Sequence, residues 1–318
     1  MQAVAAAKCG HNPTHDHLGR SIPAADSRHQ LAAFVGRERI HVNHHTLPPM
    51  ETLVTHDNDP DPGVAAVSAW ISSENRIESI GRGIRAAIDW VIDGARTQRF
   101  SLEQVEQSEK LYLGNRVEHE VLHELGLVKR PQGIDTVIDG HEVDIKFSLS
   151  ANWMIPPEGV NHICLLLSAD DISSLFSVGV FRAAAEFLSA PNRDGKRSIK
   201  RNAANNTVRW LAKDAPLMEN FLLHLDPEVR AAIFGEKSGQ ARVTQAFRLV
   251  LEKPISTVAL DTLAVQRDPS KRVRDARKAL ANEGIQVLCG RWEADQAVLK
   301  RLGLPPLGRE EWISTRRR

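Results

Sequence analysis

Apolar residues recur at helical spacing in the first half of the chain. In RIESIGRGIRAAIDWVIDG, residues 76 to 94, they repeat every three or four positions, and a glycine stands where the repeat stops. The repeating residues are Ile80, Ile84, Ile88 and Val91, followed by Gly94. A second helix is predicted to run from Ser101, where SLEQ fits a capping box, towards Gly126.

Glu118 interrupts the apolar face of this second predicted helix. Val121, Leu122 and Leu125 follow it at i+3, i+4 and i+7, so they lie on the same side of a helix as the glutamate. Burying a carboxylate on an apolar surface is costly unless a cation accompanies it. Glu118 is therefore a candidate site residue.

Alternation with period two replaces the helical pattern in IDTVIDGHEVDIKFSLS, residues 134 to 150. Runs at 134–139 and 142–148 predict two strands, and Asp139-Gly140 favours the tight turn of a hairpin between them. Side chains alternate along a strand, so the second strand has one apolar and one polar face. The apolar face carries Val143, Ile145 and Phe147, and the polar face carries Asp144, Lys146 and Ser148.

The run HICLLLS, residues 162 to 168, is continuously apolar, as expected of a strand buried on both faces. Helix, hairpin and buried strand in this order predict an α/β domain. The predicted domain spans residues 63–188, and a polar, basic linker follows at 189–206.

The last part of the chain, residues 207–318, is predicted to be mainly helical. Helices are expected from about Gln240, over roughly 256–266, and from Pro269 to Gly284, and the strand IQVLC follows. Three helices followed by a strand make a winged-helix-like, DNA-binding domain plausible.

Charge divides the chain in the same way. The formal net charge is only +1, but residues 191–318 carry 25 Lys and Arg against 15 Asp and Glu. The remainder carries 16 against 25, so an acidic half precedes a basic half. That division predicts a polyanion-binding module joined to one that needs carboxylates, although two solvated surfaces would show the same imbalance.

The third predicted helix of the basic half concentrates this charge. Only Asp275 opposes its basic residues, so contact with DNA is favoured over the alternative of a solvated surface helix. The predicted DNA-binding residues are Lys271, Arg272, Arg274, Arg277 and Lys278.

Residues 1–62 lack periodicity and hold eight of the thirteen histidines. A disordered leader is the favoured interpretation, and the alternative is a zinc site. Its ligands would be Cys9, His11, His15 and His17. The chain has three dispersed cysteines, no signal-peptide pattern and no apolar run of about 20 residues that would span a membrane. A cytoplasmic location is expected.

Asp135 and Asp144 approach each other if the two predicted strands pair as a hairpin. Two buried carboxylates cannot both stay ionised unless a cation joins them, and hard oxygen ligands favour Mg²⁺. Lys146 shares a strand face with Asp144, where it would either polarise the attacking water or stabilise the charge that develops on a phosphate held by the metal. The D-x8-D-x-K pattern is typical of metal-dependent phosphodiesterases of the PD-(D/E)xK type.

Five longer segments resemble the NaeI-type restriction endonucleases, over residues 80 to 308. They are DGARTQRFSLEQVEQSEK, VDIKFSLSANWMIPPEGVNHICLLL, NRDGKRSIKR, GQARV and RLGLP. The resemblance implies a homodimer whose N-terminal domain is an α/β restriction-endonuclease-like domain, with a mixed β-sheet flanked by helices. It also implies a winged-helix C-terminal domain that binds a second copy of the DNA site and activates cleavage. It implies catalysis by Glu118, Asp135, Asp144 and Lys146, with the three carboxylates as metal ligands.

The sequence thus predicts a type II restriction endonuclease that uses Mg²⁺ to cleave double-stranded DNA at a specific site. A cognate DNA methyltransferase is expected as a genetic partner, and no membrane is expected as one. Two other functions stay open at this point: a DNA-binding regulator with an inert nuclease domain, and a DNA-repair nuclease.

Overall fold

The computed structural model describes residues 61–131 and 133–317. The predicted leader lies outside the described residues except for Asp61 and Pro62, so its possible zinc ligands do too. Asp61 caps the first described helix, because its carboxylate accepts hydrogen bonds from the backbone N–H groups of Gly63 and Val64. Within the described ranges, no helix has the length and apolar character needed to cross a membrane.

Helices precede the sheet in the N-terminal part of the described chain. They are α1 (Pro62–Ile71), α2 (Arg76–Ile92), α3 (Gly94–Thr97), α4 (Gln107–Lys110) and α5 (Leu113–Glu124). The first predicted helix is confirmed as α2.

The second predicted helix, from Ser101 to Gly126, is wrong as one continuous element. Ser101 does form the capping box, but only a short 3₁₀ turn follows, and Val105 and Glu106 are extended. The physical reason is that Glu106 opens a second capping box, which starts a new helical turn at α4.

The site lies on a five-stranded mixed sheet within the described residues. Its strands are β1 (Thr136–Ile138), β2 (His141–Ser148), β4 (Ile163–Asp170), β5 (Leu175–Arg182) and β7 (Arg209–Pro216). Their order is β1-β2-β4-β5-β7, and only the β2–β4 pair is parallel. The predicted hairpin is confirmed: Asp139 and Gly140 form its turn with φ of 48° and 79°, a left-handed pair typical of two-residue hairpins.

The predicted alternation along β2 is also confirmed. Val143 and Ile145 are buried in a core that includes residues of α2 and α5. On the other face of the sheet, Cys164 and Leu166 of β4 pack in a separate core with Trp153. The polar face of β2 therefore lies over a second apolar layer, which removes Asp144 from water.

The segment predicted as a linker is folded onto this half of the molecule. Two short strands, β3 (Met154–Ile155) and β6 (Arg197–Ser198), pair with each other, and the helix α6 (Arg201–Asn206) follows. The next strand, β7, pairs with β5 and forms an edge of the sheet. Residues 61–216, which we call the N-terminal half, thus include β7, which lies beyond the predicted domain start at residue 207.

The C-terminal region has its own apolar core. Its helices are α7 (Pro227–Phe234), α8 (Gly239–Leu249), α9 (Thr257–Ala264), α10 (Ser270–Ala281) and α11 (Glu293–Leu302). Its strands are β8 (Ile255–Ser256), β9 (Ile285–Cys289) and β10 (Glu311–Arg316), in the order β8-β10-β9. The three predicted helices are confirmed as α8, α9 and α10, and the predicted strand as β9.

Candidate active site

The β1–β2 hairpin brings together three of the predicted site residues. The Nζ of Lys146 donates a hydrogen bond to Oδ1 of Asp144 at 2.6 Å. Asp135 lies just before β1, and its Oδ2 accepts a hydrogen bond from the backbone N–H of Ile145 at 2.8 Å. The two carboxylates and the ammonium thus converge at one end of the hairpin, as the hairpin register requires.

Burial dominates the electrostatics of the pair. Asp144 is only 4% exposed, and its removal from water raises its pKa to about 7, although the charge of Lys146 acts in the opposite direction. Asp135 adds to the rise, because a second carboxylate disfavours ionisation. Burial by itself would lower the pKa of Lys146, but Asp144 raises it above its ordinary value. Lys146 is therefore an ammonium at neutral pH, and a general-base role for it is not favoured.

One oxygen of Asp144 is left without a partner. Oδ2 is buried and accepts no hydrogen bond within the described part of the chain. Gly159 lies directly behind it, because a Cβ on that residue would stand 2.8 Å from Oδ2. An unpartnered carboxylate oxygen, a second carboxylate nearby and a pKa close to 7 fit a hard divalent cation, for which oxygen atoms are the preferred ligands.

Glu118 is placed differently from the two aspartates. It lies on α5, whose apolar residues pack against the opposite face of β2, and it forms an ion pair with Lys129. Among residues 61–131 and 133–317, no three His, Cys, Asp or Glu side chains form a group that could hold a metal. The predicted set of three carboxylate ligands is therefore not assembled in this structure, and the role of Glu118 stays a prediction.

Lys129 is a residue that the sequence analysis missed. It precedes Arg130, whose backbone N–H donates to the carbonyl oxygen of Asp135 at 2.8 Å. The segment that neutralises Glu118 is thereby tied to the start of β1. Lys129 stands in an irregular segment with no periodicity, so no pattern in the sequence marks it.

The five predicted DNA-binding residues of α10 fall into two groups. Lys271, Arg274 and Lys278 are exposed. Arg272 is half-buried and donates to Gln266 at 3.1 Å. Arg277 is half-buried and forms an ion pair with Asp295.

Arg277 binds both carboxylate oxygens of Asp295, at 2.9 and 2.8 Å, and its guanidinium lies 5.0 Å from the ring centre of Trp292. Asp295 is 8% exposed and also accepts the backbone N–H of Cys289 at 2.9 Å. Arg277 therefore connects α10 to β9 and α11, which leaves the exposed residues of α10 as the ones free to contact a polyanion.

Comparison with known proteins shows the family of the chain. The family model described as restriction endonuclease NaeI matches residues 67–318. The curated type II restriction enzyme NaeI of Lentzea aerocolonigenes is 36% identical over 260 residues, which cover 78% of this chain and 81% of the relative. The chain belongs to the NaeI restriction endonuclease family.

Membership of this family establishes the class of reaction. The chain is a type II restriction enzyme, a site-specific deoxyribonuclease whose substrate is DNA. Type II restriction endonucleases generally use divalent metal ions, and the carboxylates Asp135 and Asp144 are chemically suited to hold one.

Proposed function

We propose that this enzyme hydrolyses phosphodiester bonds of double-stranded DNA with Mg²⁺ at the site formed by Asp135, Asp144 and Lys146. The observation that carries the proposal is the unpartnered Oδ2 of buried Asp144 beside the Lys146 ammonium. A buried carboxylate in this state gains a large interaction from a hard cation, and Mg²⁺ commonly completes its shell with water and substrate phosphate.

Each residue has a distinct proposed role. Asp144 and Asp135 would hold the metal, which when bound supplies Lewis-acid stabilisation of the phosphoryl oxygens and a more acidic water. Lys146 keeps its proton and donates it as a hydrogen bond to a non-bridging phosphate oxygen, where negative charge grows as the bond to phosphorus forms. Glu118 is proposed as a third carboxylate of the site, which requires its pair with Lys129 to open when DNA binds.

We propose a homodimer as the active assembly. The described residues of one chain contain one Asp135–Asp144–Lys146 site, so cutting both strands at one locus is most simply done by two copies. A cytoplasmic location and a cognate DNA methyltransferase encoded nearby belong to the same proposal, because a restriction enzyme needs its host's DNA protected.

The C-terminal region is proposed to be a winged-helix-like domain that binds a second, effector copy of the DNA site. Support comes from the succession α8, β8, α9, α10, β9, α11 and β10, and from the sheet order β8-β10-β9. In this arrangement α10 would enter the major groove, with Lys271, Arg274 and Lys278 towards DNA.

Digestion of plasmid DNA with Mg²⁺, followed by sequencing of the ends, tests the proposed reaction. We expect discrete ends at one sequence for the native protein. Asp144→Ala should cut at least about 10²-fold more slowly, because it removes a catalytic electrostatic group, while DNA binding persists. The matched control is Glu142→Ala, which removes an exposed carboxylate from the same strand.

The outcomes separate the competing functions. Undiminished cutting by Asp144→Ala would remove that residue from the mechanism. Binding without cutting by the native protein would favour a DNA-binding regulator, and ends scattered over many sequences would favour a structure-specific repair nuclease.

A further inference from the structure

A dense group of positive charges lies outside both the Asp135–Asp144–Lys146 site and helix α10. Residues 192–201, NRDGKRSIKR, carry five basic side chains against the single acid Asp194. We call this segment the basic turn. Its basic residues are Arg193, Lys196, Arg197, Lys200 and Arg201.

The backbone of the basic turn is held by its own hydrogen bonds. Oδ1 of Asn192 accepts the N–H groups of Asp194 and Lys196, at 3.0 and 2.9 Å. The N–H of Asn192 donates to the carbonyl oxygen of Lys196 at 2.8 Å. Gly195 has φ of +78°, a conformation that favours glycine. The segment is thus a defined turn that presents Arg193, Lys196 and Arg201 to solvent.

This turn rests on the loop that lies behind Asp144. β6 pairs with β3, and a Cβ on Gly195 would stand 3.2 Å from Cγ of Pro157. Pro157 begins a short 3₁₀ turn that ends at Gly159, the residue packed against Oδ2 of Asp144. The basic turn and the catalytic carboxylate are therefore connected through one short and closely packed piece of chain.

The positive charge of the turn is not balanced locally. Within residues 61–131 and 133–317, the side chains of Lys196 and Arg201 have no hydrogen-bond or ion-pair partner. Arg197 and Lys200 donate only to backbone carbonyls, those of Ser189 and Glu186. Arg193 is 98% exposed, and its distance to Asp194 is 3.9 Å. Uncompensated charge beside a site that acts on a polyanion is complementary to that substrate.

We propose that the basic turn binds backbone phosphates of the substrate DNA that flank the bond cut at Asp144, with Lys196 and Arg201 as the main contacts. The proposal rests on the proposed function, because it takes Asp144 as the cleavage site. It adds a DNA-contacting element in the N-terminal half, separate from α10. Phosphate contacts of this kind position DNA and strengthen binding without reading sequence.

The salt dependence of plasmid cleavage tests this assignment with full-length protein. Each phosphate contact contributes about 0.9 to the slope of log affinity against log salt. In Lys196→Ala/Arg201→Ala we expect the slope of log kcat/KM against log NaCl to flatten by about two units. The change should fall on KM, with kcat retained, because neither side chain touches the reacting atoms.

The matched control is Arg96→Ala/Lys213→Ala, which removes the same formal charge at exposed positions of α3 and β7. Its slope should equal that of the native protein, and thermal melting should show that both double variants are folded. If the native protein cuts and the Lys196/Arg201 variant keeps the native slope, the turn is a solvated surface. If the native protein does not cut, the proposed function fails. The salt slopes of the native protein and both double variants are then measured from their affinity for a fluorescein-labelled plasmid fragment.

A tethered cleavage reagent distinguishes substrate DNA from a second DNA copy. Iron–EDTA would be attached to Arg193→Cys in a Cys9→Ser background, since Cys164 and Cys289 are buried. We expect radical cuts within about ten base pairs, one helical turn, of the enzyme's own cleavage position. Cuts confined to an added oligonucleotide that carries the recognition site would overturn the assignment to substrate DNA.

Discussion

At the scale of single residues, Asp144 combines burial with an incomplete set of partners. Its folded pKa of about 7 lies above the ordinary value of 3.8. The neutral form is therefore favoured in the folded protein. The contribution of Asp144 protonation to the free energy of unfolding is fully present below pH 3.8, and it is lost as the pH rises through about 7. Above that pH the metal-free protein carries a buried negative charge that a cation would compensate.

Stabilisation by Mg²⁺ should therefore be larger at pH 8 than at pH 6. At pH 6 a proton competes for Asp144, and with a pKa of about 7 this weakens the apparent affinity for metal about tenfold, or about 1.4 kcal/mol. The stabilisation is measured as the melting temperature in Mg²⁺ minus the melting temperature in EDTA. This difference should be roughly 2–4 °C larger at pH 8 than at pH 6. Asp144→Asn should abolish the difference. An equal stabilisation of the native protein at both pH values would contradict the assignment of Asp144 as a ligand.

Gly159→Ala should impair catalysis without unfolding the protein. The added Cβ would stand 2.8 Å from Oδ2 of Asp144 and 3.2 Å from Cγ2 of Ile155, so the carboxylate must move. Since displacement by about 1 Å costs roughly 10²-fold in rate, we expect a loss of that order in kcat. Gly114→Ala on helix α5 is the control, because a Cβ added there would contact no neighbouring atom within 4 Å. A native rate in Gly159→Ala would show that Asp144 tolerates the shift.

At the scale of elements, α10 has an exposed side and a structural side. Arg274→Ala/Lys278→Ala should flatten the salt slope of DNA binding by about two units, with melting unchanged, if both residues contact phosphate.

Arg277→Ala should lower stability by about 1–3 kcal/mol, because Asp295 would keep its buried charge without its cationic partner. Binding and denaturant unfolding, measured on both variants, separate the roles. A stable Arg277→Ala protein with a flattened slope would reverse the assignment.

At the scale of the whole molecule, buried polar groups join the N-terminal half to the C-terminal region. Arg85 of α2 is 5% exposed and is ion-paired with Asp89 and Asp171. Nδ2 of Asn220 donates to Oδ2 of Asp171 at 3.1 Å and to the carbonyl oxygen of Phe100 at 2.9 Å. Burial raises the pKa of Asp89, whereas the two aspartates raise that of Arg85 against the effect of burial.

Asp171→Ala should destabilise the protein by about 3–5 kcal/mol, because it leaves the Arg85 charge buried with one fewer counter-charge. Denaturant unfolding measures the loss. Asp170→Ala, which removes the exposed neighbouring carboxylate and two hydrogen bonds of the turn, should cost about 1 kcal/mol. Equal effects of the two substitutions would mean that the buried network contributes nothing beyond an ordinary turn.

The sequence by itself determined the parts that depend on neighbours along the chain. Period two and Asp139-Gly140 specify the β1–β2 hairpin, and that hairpin places Asp135 beside the Asp144–Lys146 pair. Helical spacing likewise predicted α2, with its glycine stop, and α10. The family resemblance could also be recognised from the sequence, because the segments around Asp144 are long and unusual in composition and are therefore specific to the family.

Only the tertiary structure decided which distant segments meet. It paired β7 with β5, which extended the N-terminal half to residue 216. It also paired Glu118 with Lys129 and Arg277 with Asp295. It also placed the basic turn over the loop behind Asp144. The physical reason is that strand pairing and burial of charge depend on partners that are far apart in sequence. The sequence around an arginine is the same whether its side chain binds an aspartate of the folded protein or a phosphate of DNA.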